Sequence, residues 1–407
     1  MNIGFLTPEY PLKNSKVGGV GTYIKKSASE LTDRGHKITV FLESTRNAKL
    51  NDNGVTIYEI KCPPLYYALN SKSFLKQLIR VSYILFSAFK IKNKVFQIHK
   101  KDPFNILQSS NYLAPGFFLK KNKKIPVITR VSSYAPLWHA AFGIPRTFGD
   151  YLIDYLELRQ VTDAQSSFSP SRFMRKVYAR YENCKLDFIP TPLDINKPIK
   201  KDNFLLEKIL RKLPSKQYIL YFGSLSRIKG VDLMADVINK LSPKHPKLGF
   251  VFVGVDYGLP DGKPLSEFIY GQCQKYKKQI LFFTYQPRKR LHPVIKNAYG
   301  IAAPSRVDNY PNTCLEAQTL GIPVIGTNNS SIDEIIIDGK TGFIAENSSP
   351  TSIASKVESL LEMSKKERLE MQKEIAKNIS CILKEDRIKI LIKYYEKVIK
   401  EYKEQNK

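Results

Sequence analysis

Two carboxylates eight residues apart, Asp308 and Glu316, form the most chemically informative pair in the sequence. Pro311 lies between them and suits the first turn of a helix, which Asn309 or Asn312 is placed to cap. The spacing predicts Asp308 in the loop before the helix and Glu316 about one turn into it. Both carboxylates can then face one cleft, one near a sugar and the other near vicinal hydroxyls. The alternative is a capped, solvated helix start.

Two loops that follow predicted strands are suited to bind anions. Gly18-Gly19-Val20-Gly21 directly precedes a helix, so its backbone N–H groups and the helix dipole favour a bound anion. It is not a GxGxxG dinucleotide fingerprint, and its simple alternative is a tight loop that caps a helix. The second loop, Gly223–Gly230, carries Arg227 and Lys229. These cations can neutralise a diphosphate leaving group, although a solvated basic turn would have the same composition.

Short apolar strands alternate with amphipathic helices along the chain, which indicates α/β architecture with parallel sheets. Pro190 and Pro192 mark a plausible boundary between two doubly wound domains. We therefore predict domains at 1–190 and 191–380 and a carboxy-terminal helix at 381–407 that packs back on the first domain. The tail from Thr351 to Lys407 has no strand signal and is predicted to be helical throughout. The predicted strands are Met1–Leu6, Ile38–Glu43, Thr56–Ile60, Ile106–Gln108, Val127–Val131, Tyr218–Phe222, Gly249–Val253, Ile280–Phe283, Gly300–Ala303 and Val324–Gly326.

Composition narrows the class of protein. The chain has 407 residues, which corresponds to two or three domains at ~150 residues each. Five scattered cysteines and five histidines, without CxxC or HExxH, argue against a disulfide scaffold and a zinc enzyme, and we expect no metal. The amino terminus lacks the pattern of a signal peptide, and the longest charge-free run of the apolar segment, Val81–Phe89, is too short to span a bilayer.

The net charge of +28 predicts an anionic partner, and the excess is concentrated in the first domain. Residues 60–149 contain fifteen Lys and Arg and one acidic residue, Asp102. Six cations form a narrow stripe along the predicted helical region Phe74–Ile98, each within about 40° of Lys76 at 100° per residue, beside a wide apolar face. They are Lys72, Lys76, Arg80, Lys90, Lys94 and Lys101. The pattern suits an anionic bilayer surface, but also a crossover helix with solvated lysines.

Several sequence motifs occur along the chain in the same order as in one known family of proteins. It resembles the retaining GT-B glycosyltransferases of the family-four type, which use nucleotide-activated sugars, over nearly its whole length. The Glu-x7-Glu signature of that family appears as Asp308-x7-Glu316. The blocks that carry the resemblance are GGVGTY (Gly18–Tyr23), ELTDRGHKITVF (Glu30–Phe41), GSLSRIKG (Gly223–Gly230), the segment Ala303–Thr327, and DGKTGF (Asp338–Phe343).

The resemblance implies two Rossmann-like domains that face each other across a cleft, acceptor side first and donor side second. Gly18 and Gly19 would leave room for the donor phosphates, and Lys229 would bind the diphosphate. Asp308 would lie beside the donor sugar, and Glu316 would bind the ribose. Asn309, Tyr310, Asn312 and Thr313, at a helix start, would hold phosphate or sugar hydroxyls.

Three departures from the family pattern bear on activity. Asp308 is one methylene shorter than Glu. Ser224 stands where an arginine usually follows the glycine of the phosphate loop, and Arg227 is the nearest substitute. Ser132 stands where a family strand usually ends in a histidine that contacts the donor sugar. Ser132 indicates a different sugar preference or reduced activity, and Ser132 and Ser224 together motivate a catalytically weakened alternative.

The implied reaction is retaining transfer without a covalent enzyme intermediate and without a metal or other cofactor, from a UDP- or a GDP-linked sugar. We expect a cytoplasmic enzyme, peripheral on the inner face of the membrane, that builds a surface polysaccharide on a glycan or lipid-linked acceptor. A catalytically weakened GT-B partner subunit is one alternative. A nucleic-acid-binding protein is another, suggested only by the charge; without a nucleic-acid-binding motif, we expect no such partner.

Overall fold

The computed structural model of the chain describes residues 1–12, 18–62, 73–192, 201–328 and 330–406. The chain divides into two compact units. Unit 1 comprises Met1–Pro136, Pro145–Leu193 and Asp386–Lys407, and unit 2 comprises Leu137–Ile144 and Asp194–Glu385.

Unit 1 is built on an eight-stranded sheet in the order β3-β4-β2-β1-β5-β6-β7-β8. All neighbouring strands are parallel except β3 and β4, which form an antiparallel hairpin at one edge. The central strands are almost continuously buried because helices cover both faces of a parallel sheet. The strands are β1 (Asn2–Thr7), β2 (Lys37–Ser44), β3 (Ala48–Asp52), β4 (Val55–Lys61), β5 (Ile106–Ser110), β6 (Val127–Arg130), β7 (Ser166–Ser169) and β8 (Asp187–Phe188).

Unit 2 is built on a six-stranded, fully parallel sheet in the order β11-β10-β9-β12-β13-β14. Its order reverses between β9 and β12, so the loops after these two strands lie side by side at the carboxyl edge, where such folds bind ligands. The strands are β9 (Tyr218–Phe222), β10 (Gly249–Val253), β11 (Ile280–Phe283), β12 (Gly300–Ala303), β13 (Val324–Thr327) and β14 (Gly342–Ala345).

The α-helices pack on the sheets through apolar faces. They are α1 (Gly19–Asp33), α2 (Phe74–His99), α3 (Ala135–Phe142), α4 (Phe148–Thr162), α5 (Arg172–Glu182), α6 (Phe204–Lys212), α7 (Met234–Leu241), α8 (Leu265–Gln272), α9 (Arg288–Lys296), α10 (Asn312–Thr319), α11 (Pro350–Glu362), α12 (Lys365–Lys384) and α13 (Arg387–Gln405). The last helix, α13, belongs to unit 1, where Ile388, Leu391 and Tyr395 join the core that contains Ile3 and Phe5.

The ten strands predicted from the sequence are all present, with ends that shift by at most two residues. Four strands that the sequence did not reveal are β3, β7, β8 and β14. Of these, β8 is only two residues long, and β7 has the polar sequence Ser-Ser-Phe-Ser, so neither carries an apolar signal. The helical tail predicted from Thr351 onward is confirmed as α11, α12 and α13.

The predicted stripe of six cations differs from the structure at two positions, because Lys101 lies beyond the end of α2 at His99 and Arg80 is not on the surface. Arg80 is buried and forms an ion pair with Asp150 of α4, so its charge is neutralised inside unit 1. Lys72 lies outside the described residues. None of the helices within the described residues is both long and apolar enough to cross a membrane.

Candidate functional site

The parallel pairing of β9 and β12 brings together two of the residues singled out in the sequence. The loop after β9 carries Lys229, and the loop after β12 carries Asp308. The Lys229 Nζ atom lies 2.7 Å from Asp308 Oδ2. The lysine side chain is 30% exposed and the aspartate 10%, so the pair lies at the surface of unit 2 with its acidic partner largely covered.

Asp308 is held by its own loop as well as by Lys229. The Ser305 hydroxyl donates to Oδ2 at 3.0 Å, and the backbone N–H of Asn309 donates to Oδ1 at 3.0 Å. Both carboxylate oxygens therefore have partners within unit 2, and the side chain is fixed in one orientation. Such a fixed carboxylate is a pre-organised acceptor that also sets the position of the ammonium group.

A second ion pair braces the loop that contains Arg227 and Lys229. Arg306 Nη1 lies 2.6 Å from Asp232 Oδ1, and the same nitrogen donates to the Arg227 carbonyl oxygen at 2.5 Å. Gly230 adopts a left-handed φ of +68°, and a Cβ there would lie 1.9 Å from the Pro304 carbonyl oxygen. Only glycine permits this close approach of the two loops.

The Arg227 side chain carries a buried polar atom that lacks a partner. Its Nε has no hydrogen bond within the described residues. The guanidinium packs against Gly143, which has a left-handed φ of +75°, and a Cβ at Gly143 would lie 3.0 Å from the guanidinium carbon. A buried N–H without a partner is costly, so the enclosed Nε of Arg227 is an unsatisfied polar atom in this conformation.

The start of α10 differs in detail from the sequence-based expectation. Pro311 is the N-cap residue and no side chain caps this helix, so capping by Asn309 or Asn312 is wrong. Tyr310 instead has a positive φ of 57°, and its backbone N–H donates to the buried Ser331 hydroxyl. Asn312 and Thr313 are the first two residues of α10, where backbone N–H groups lack intrahelical partners.

Glu316 lies about one turn into α10, as the sequence predicted, and is approached by two basic residues of α9. His292 Nε2 is 2.9 Å from Glu316 Oε1, and Arg288 Nε is 3.4 Å from the same oxygen. Neither residue had been singled out in the sequence, because both lie more than twenty positions from Glu316. Their spacing of four on one helix was the available signal.

In unit 1, the glycine loop before α1 already has an anionic partner. The Glu9 carboxylate Oε2 accepts from the backbone N–H of Gly18 at 3.0 Å and of Gly21 at 3.4 Å. A Cβ at Gly18 would lie 3.2 Å from this oxygen, whereas one at Gly19 would meet no atom within 4 Å. The loop therefore binds a carboxylate, as its glycines and helix dipole favour, and a phosphate there would compete with Glu9.

Ser132 follows β6 and is fixed by two hydrogen bonds within unit 1. Its hydroxyl accepts from Arg130 Nη1 at 2.7 Å, and its backbone N–H donates to Asn111 Oδ1 at 2.8 Å. Arg130 is buried, and burial lowers the pKa of its guanidinium. Its second nitrogen donates to Thr191 Oγ1 at 3.2 Å, and its guanidinium stacks 3.8 Å from the Tyr23 ring centre.

The candidate site is thus strongest in unit 2, where Lys229, Asp308, Arg227 and Glu316 lie at or near the carboxyl edge of one sheet. Across the described residues, no group of three or more His, Cys, Asp or Glu side chains is close enough to hold a metal ion.

Two family models match the chain, one on each half. Glycosyltransferase Family 4 matches residues 17–197 and Glycosyl transferases group 1 matches residues 203–379. Among related proteins, the D-inositol 3-phosphate glycosyltransferase of Nocardia farcinica is 20% identical over 342 residues, which are 80% of this chain and 73% of the relative. Spore coat protein SA of Bacillus subtilis is 22% identical over 344 residues, 83% of this chain and 88% of the relative.

Solved structures share the fold over the whole chain. Sucrose-phosphate synthase from Thermosynechococcus elongatus superposes with a TM-score of 0.78 at 15% identity and covers 98% of each chain. Anabaena HepE, solved with UDP and glucose, has a TM-score of 0.68 at 14% identity and covers 98% of this chain and 99% of its own. These similarities confirm the predicted fold class.

Proposed function

Because the chain belongs to the GT-B glycosyltransferases, with a Family 4 domain followed by a group 1 domain, we propose that it is a retaining hexosyltransferase of cell-surface polysaccharide synthesis. The donor is a nucleotide-sugar and the acceptor is a glycan or a lipid-linked saccharide. The observation that carries this proposal is the pairing of Lys229 with Asp308 at the carboxyl edge of the unit 2 sheet.

We propose a role in donor binding for each candidate site residue of unit 2. Lys229 and Arg227 stabilise the diphosphate as it leaves, and the partial exposure of the Lys229 side chain, 30%, supports the assignment of that residue. Asp308 lies beside the donor sugar, and Glu316 accepts hydrogen bonds from the ribose. The backbone and side chains of Asn309, Tyr310, Asn312 and Thr313 hold phosphate or sugar hydroxyls at the start of α10.

The proposed mechanism needs no covalent intermediate on the enzyme. The acceptor hydroxyl attacks from the face that the diphosphate leaves, and the donor's own β-phosphate oxygen takes the acceptor proton. The protein supplies positioning and charge stabilisation, which together account for large rate enhancements in group transfer. Consistent with this, the carboxylate of Asp308 is engaged by Lys229 and Ser305 and is not placed as a free base.

In unit 1, we assign Gly18 and Gly19 to the donor phosphates and Ser132 to the sugar. Glu9 must give up the Gly18 N–H for a phosphate to bind there. The Ser132 side chain is shorter than that of the histidine usual at this place in the family, and its hydroxyl accepts a hydrogen bond from Arg130. Ser132 would therefore offer the sugar a fixed, uncharged contact. This difference also motivates the second candidate function, a weakened glycosyltransferase that acts as a partner subunit.

Binding and turnover together test the proposed function. A thermal-shift panel of UDP- and GDP-sugars identifies the donor, since a ligand at 100 times its dissociation constant stabilises a protein by ~2.7 kcal/mol. Donor hydrolysis and transfer to lipid-linked sugars and to a phosphorylated polyol then measure activity, the polyol being inositol 3-phosphate because one relative is a D-inositol 3-phosphate glycosyltransferase. Binding without turnover would favour the partner-subunit alternative, and no binding would refute both.

The anionic membrane surface is the proposed partner of unit 1 and gives the enzyme a peripheral position on the cytoplasmic side. The structure supplies an apolar face for it: Leu75, Ile79, Phe86 and Phe89 follow one side of α2, and each is exposed by 38% or more. Lys76, Lys90 and Lys94 lie along one flank of that face on the same helix. An apolar stripe beside cations is the pattern of a helix at an anionic bilayer interface.

Helix α4 extends this apolar face. Phe148, Tyr151 and Tyr155 are each at least half exposed and recur at intervals of three and four residues. The Phe148 ring lies 5.4 Å from the ring of Phe74 at the start of α2, which joins the two exposed stripes. Large contiguous apolar surfaces are rare on proteins that remain in water, which supports a surface-bound state.

A further inference from the structure

We propose that His292 and Arg288 are positioning residues that orient Glu316, so that its Oε2 atom alone faces the vicinal hydroxyls of the donor ribose. The proposal rests on the proposed function of Glu316 as the ribose-binding residue. It adds two residues of α9 to the donor site, and it makes the preference for a ribonucleotide depend on them.

The geometry places both basic side chains on one oxygen of the carboxylate. His292 Nε2 lies 2.9 Å and Arg288 Nε lies 3.4 Å from Glu316 Oε1. Arg288 and His292 are four residues apart on α9, so they project from the same face of that helix, one turn apart. Within the described residues, no hydrogen bond or ion pair is recorded for Oε2.

This arrangement leaves a defined acceptor for a ligand. Glu316 is 17% exposed and His292 is 20% exposed, so the contact is largely shielded from water, which strengthens it. An ionised carboxylate accepts through both oxygens, and with Oε1 engaged, Oε2 is the acceptor that remains for a pair of neighbouring hydroxyls. Holding the carboxylate in place in advance removes the entropy cost of ordering it when the donor binds.

The contact is not needed to hold α9 in the fold. Val294 and Ile295 of this helix are fully buried in the core of unit 2, and the Val294 carbonyl oxygen accepts from the Tyr218 hydroxyl at 2.6 Å. Arg290 makes a separate ion pair with Asp202 at 2.8 Å. Replacing His292 therefore removes a partner of Glu316 while the anchors of the helix remain.

Isothermal titration with nucleoside diphosphates tests the proposal on the full-length chain. The probes are UDP and GDP with their 2′-deoxy counterparts, and the base that binds wild type more tightly is used throughout. For His292→Ala, we expect the dissociation constant of the ribonucleotide to rise by roughly tenfold, the value of one hydrogen bond to a charged group. For Arg288→Ala we expect a smaller rise, because this side chain is 54% exposed and its Nε lies 3.4 Å from Oε1. The constant for the 2′-deoxy analogue should change less, so the ratio between the two falls.

Two conservative variants separate positioning from a general loss of structure. In His292→Gln the side-chain amide nitrogen reaches about as far as Nε2, so it should restore wild-type affinity and the wild-type ratio. In His292→Asn the nitrogen reaches only the position of Nδ1, so this variant should behave like His292→Ala. Lys289→Ala, which removes an exposed cation next to Arg288, is the matched control and should leave both constants unchanged.

Glu316→Gln distinguishes failure of this proposal from failure of the proposed function. If Glu316→Gln weakens binding but His292→Ala and Arg288→Ala preserve both the affinity and the ratio, Glu316 binds the donor without them and the positioning role is wrong. If Glu316→Gln itself binds as wild type does, the ribose role of Glu316 is wrong and the positioning role falls with it. Equal loss in His292→Gln and His292→Asn would also overturn the proposal.

Discussion

Lys229 and Asp308 lie 79 residues apart in the chain, yet their side chains meet at 2.7 Å in unit 2. The contact exists because β9 and β12 are neighbours in a parallel sheet, so the loops after them share one edge. The pairing neutralises the ammonium group and holds it beside the start of α10. A diphosphate that binds there would compete with Asp308 for the same charge.

Replacing Lys229 with alanine should reduce turnover more than donor binding. Its charge counts most when negative charge builds up on the leaving diphosphate, so the loss should appear in kcat. We expect a decrease of roughly a hundredfold, typical of losing one stabilising group in a transition state. Steady-state kinetics of Lys229→Ala should be compared with Lys240→Ala, an exposed lysine of α7. Equally small decreases in kcat for both variants would mean that Lys229 is only a solvated cation in a loop.

Replacing Glu316 with alanine should weaken donor binding while the fold persists. The polar partners of the side chain are His292 and Arg288 of α9, which is anchored in the core by other residues, and loss of Glu316 removes a charge-assisted hydrogen bond worth ~1.5–3 kcal/mol of affinity. The nucleotide-sugar dissociation constant measures the first effect, and the unfolding temperature measures the second. Glu370→Ala, at an exposed position of α12, is the control. Wild-type donor affinity in Glu316→Ala would contradict the assigned role.

Glu157 should make unit 1 less stable as the pH rises. Burial raises the pKa of its carboxyl to about 8 from the ordinary value of 4.5, although the backbone N–H of Leu113 donates to it. A raised pKa stabilises the fold below pH 4.5, and this contribution is lost progressively up to about pH 8, by at most about 1.4 kcal/mol per pH unit. Glu157→Gln should therefore flatten the pH dependence of the unfolding temperature between these limits.

At pH 8 the Glu157→Gln variant should be the more stable protein, since its amide oxygen still accepts from Leu113 and carries no charge. Glu370→Gln at an exposed site should leave the profile as it is in wild type. Parallel profiles for wild type and Glu157→Gln would show that the buried carboxyl does not titrate in this range.

The full-length protein should bind, through unit 1, to liposomes that contain anionic lipid, and it should therefore sediment with them at low salt. It should be released from them at high salt and should not sediment with neutral liposomes. Each cation near the surface adds ~1 kcal/mol, which salt screens. Changing Lys76, Lys90 and Lys94 to Gln should therefore abolish sedimentation and leave nucleotide-sugar binding intact. The matched control changes three exposed lysines of unit 2 to Gln: Lys275, Lys277 and Lys278.

The exposed apolar face of α2 should also contribute to the free energy of membrane binding, independently of the charges. Changing Phe86 and Phe89 to Ser should also weaken sedimentation with anionic liposomes, because both rings are nearly half exposed and would bury apolar area in the interface. No sedimentation of wild type with anionic lipid, or sedimentation that salt does not affect, would refute the electrostatic model. The charge would then need another anionic partner, such as a glycan acceptor.

The sequence alone determined the α/β class, ten of the strands and the helical tail. These features are local: a parallel strand covered on both faces is usually a short continuous apolar run, as Tyr218–Phe222 and Gly249–Val253 are. Glu316 could be placed on α10 for the same reason, since Pro311 marks the start of that helix. Strands without an apolar run, such as β7, escaped prediction because their pairing comes from neighbours and not from their own residues.

The tertiary structure alone decided which charges face each other. The sequence placed Arg80 in a stripe of cations on one side of α2. In the structure, the packing of α2 on α4 buries Arg80 against Asp150. In the same way, only the packing of α9 on α10 brings His292 to Glu316. Contacts of this kind join residues tens of positions apart, and helical or strand periodicity carries no information about which distant element packs against which.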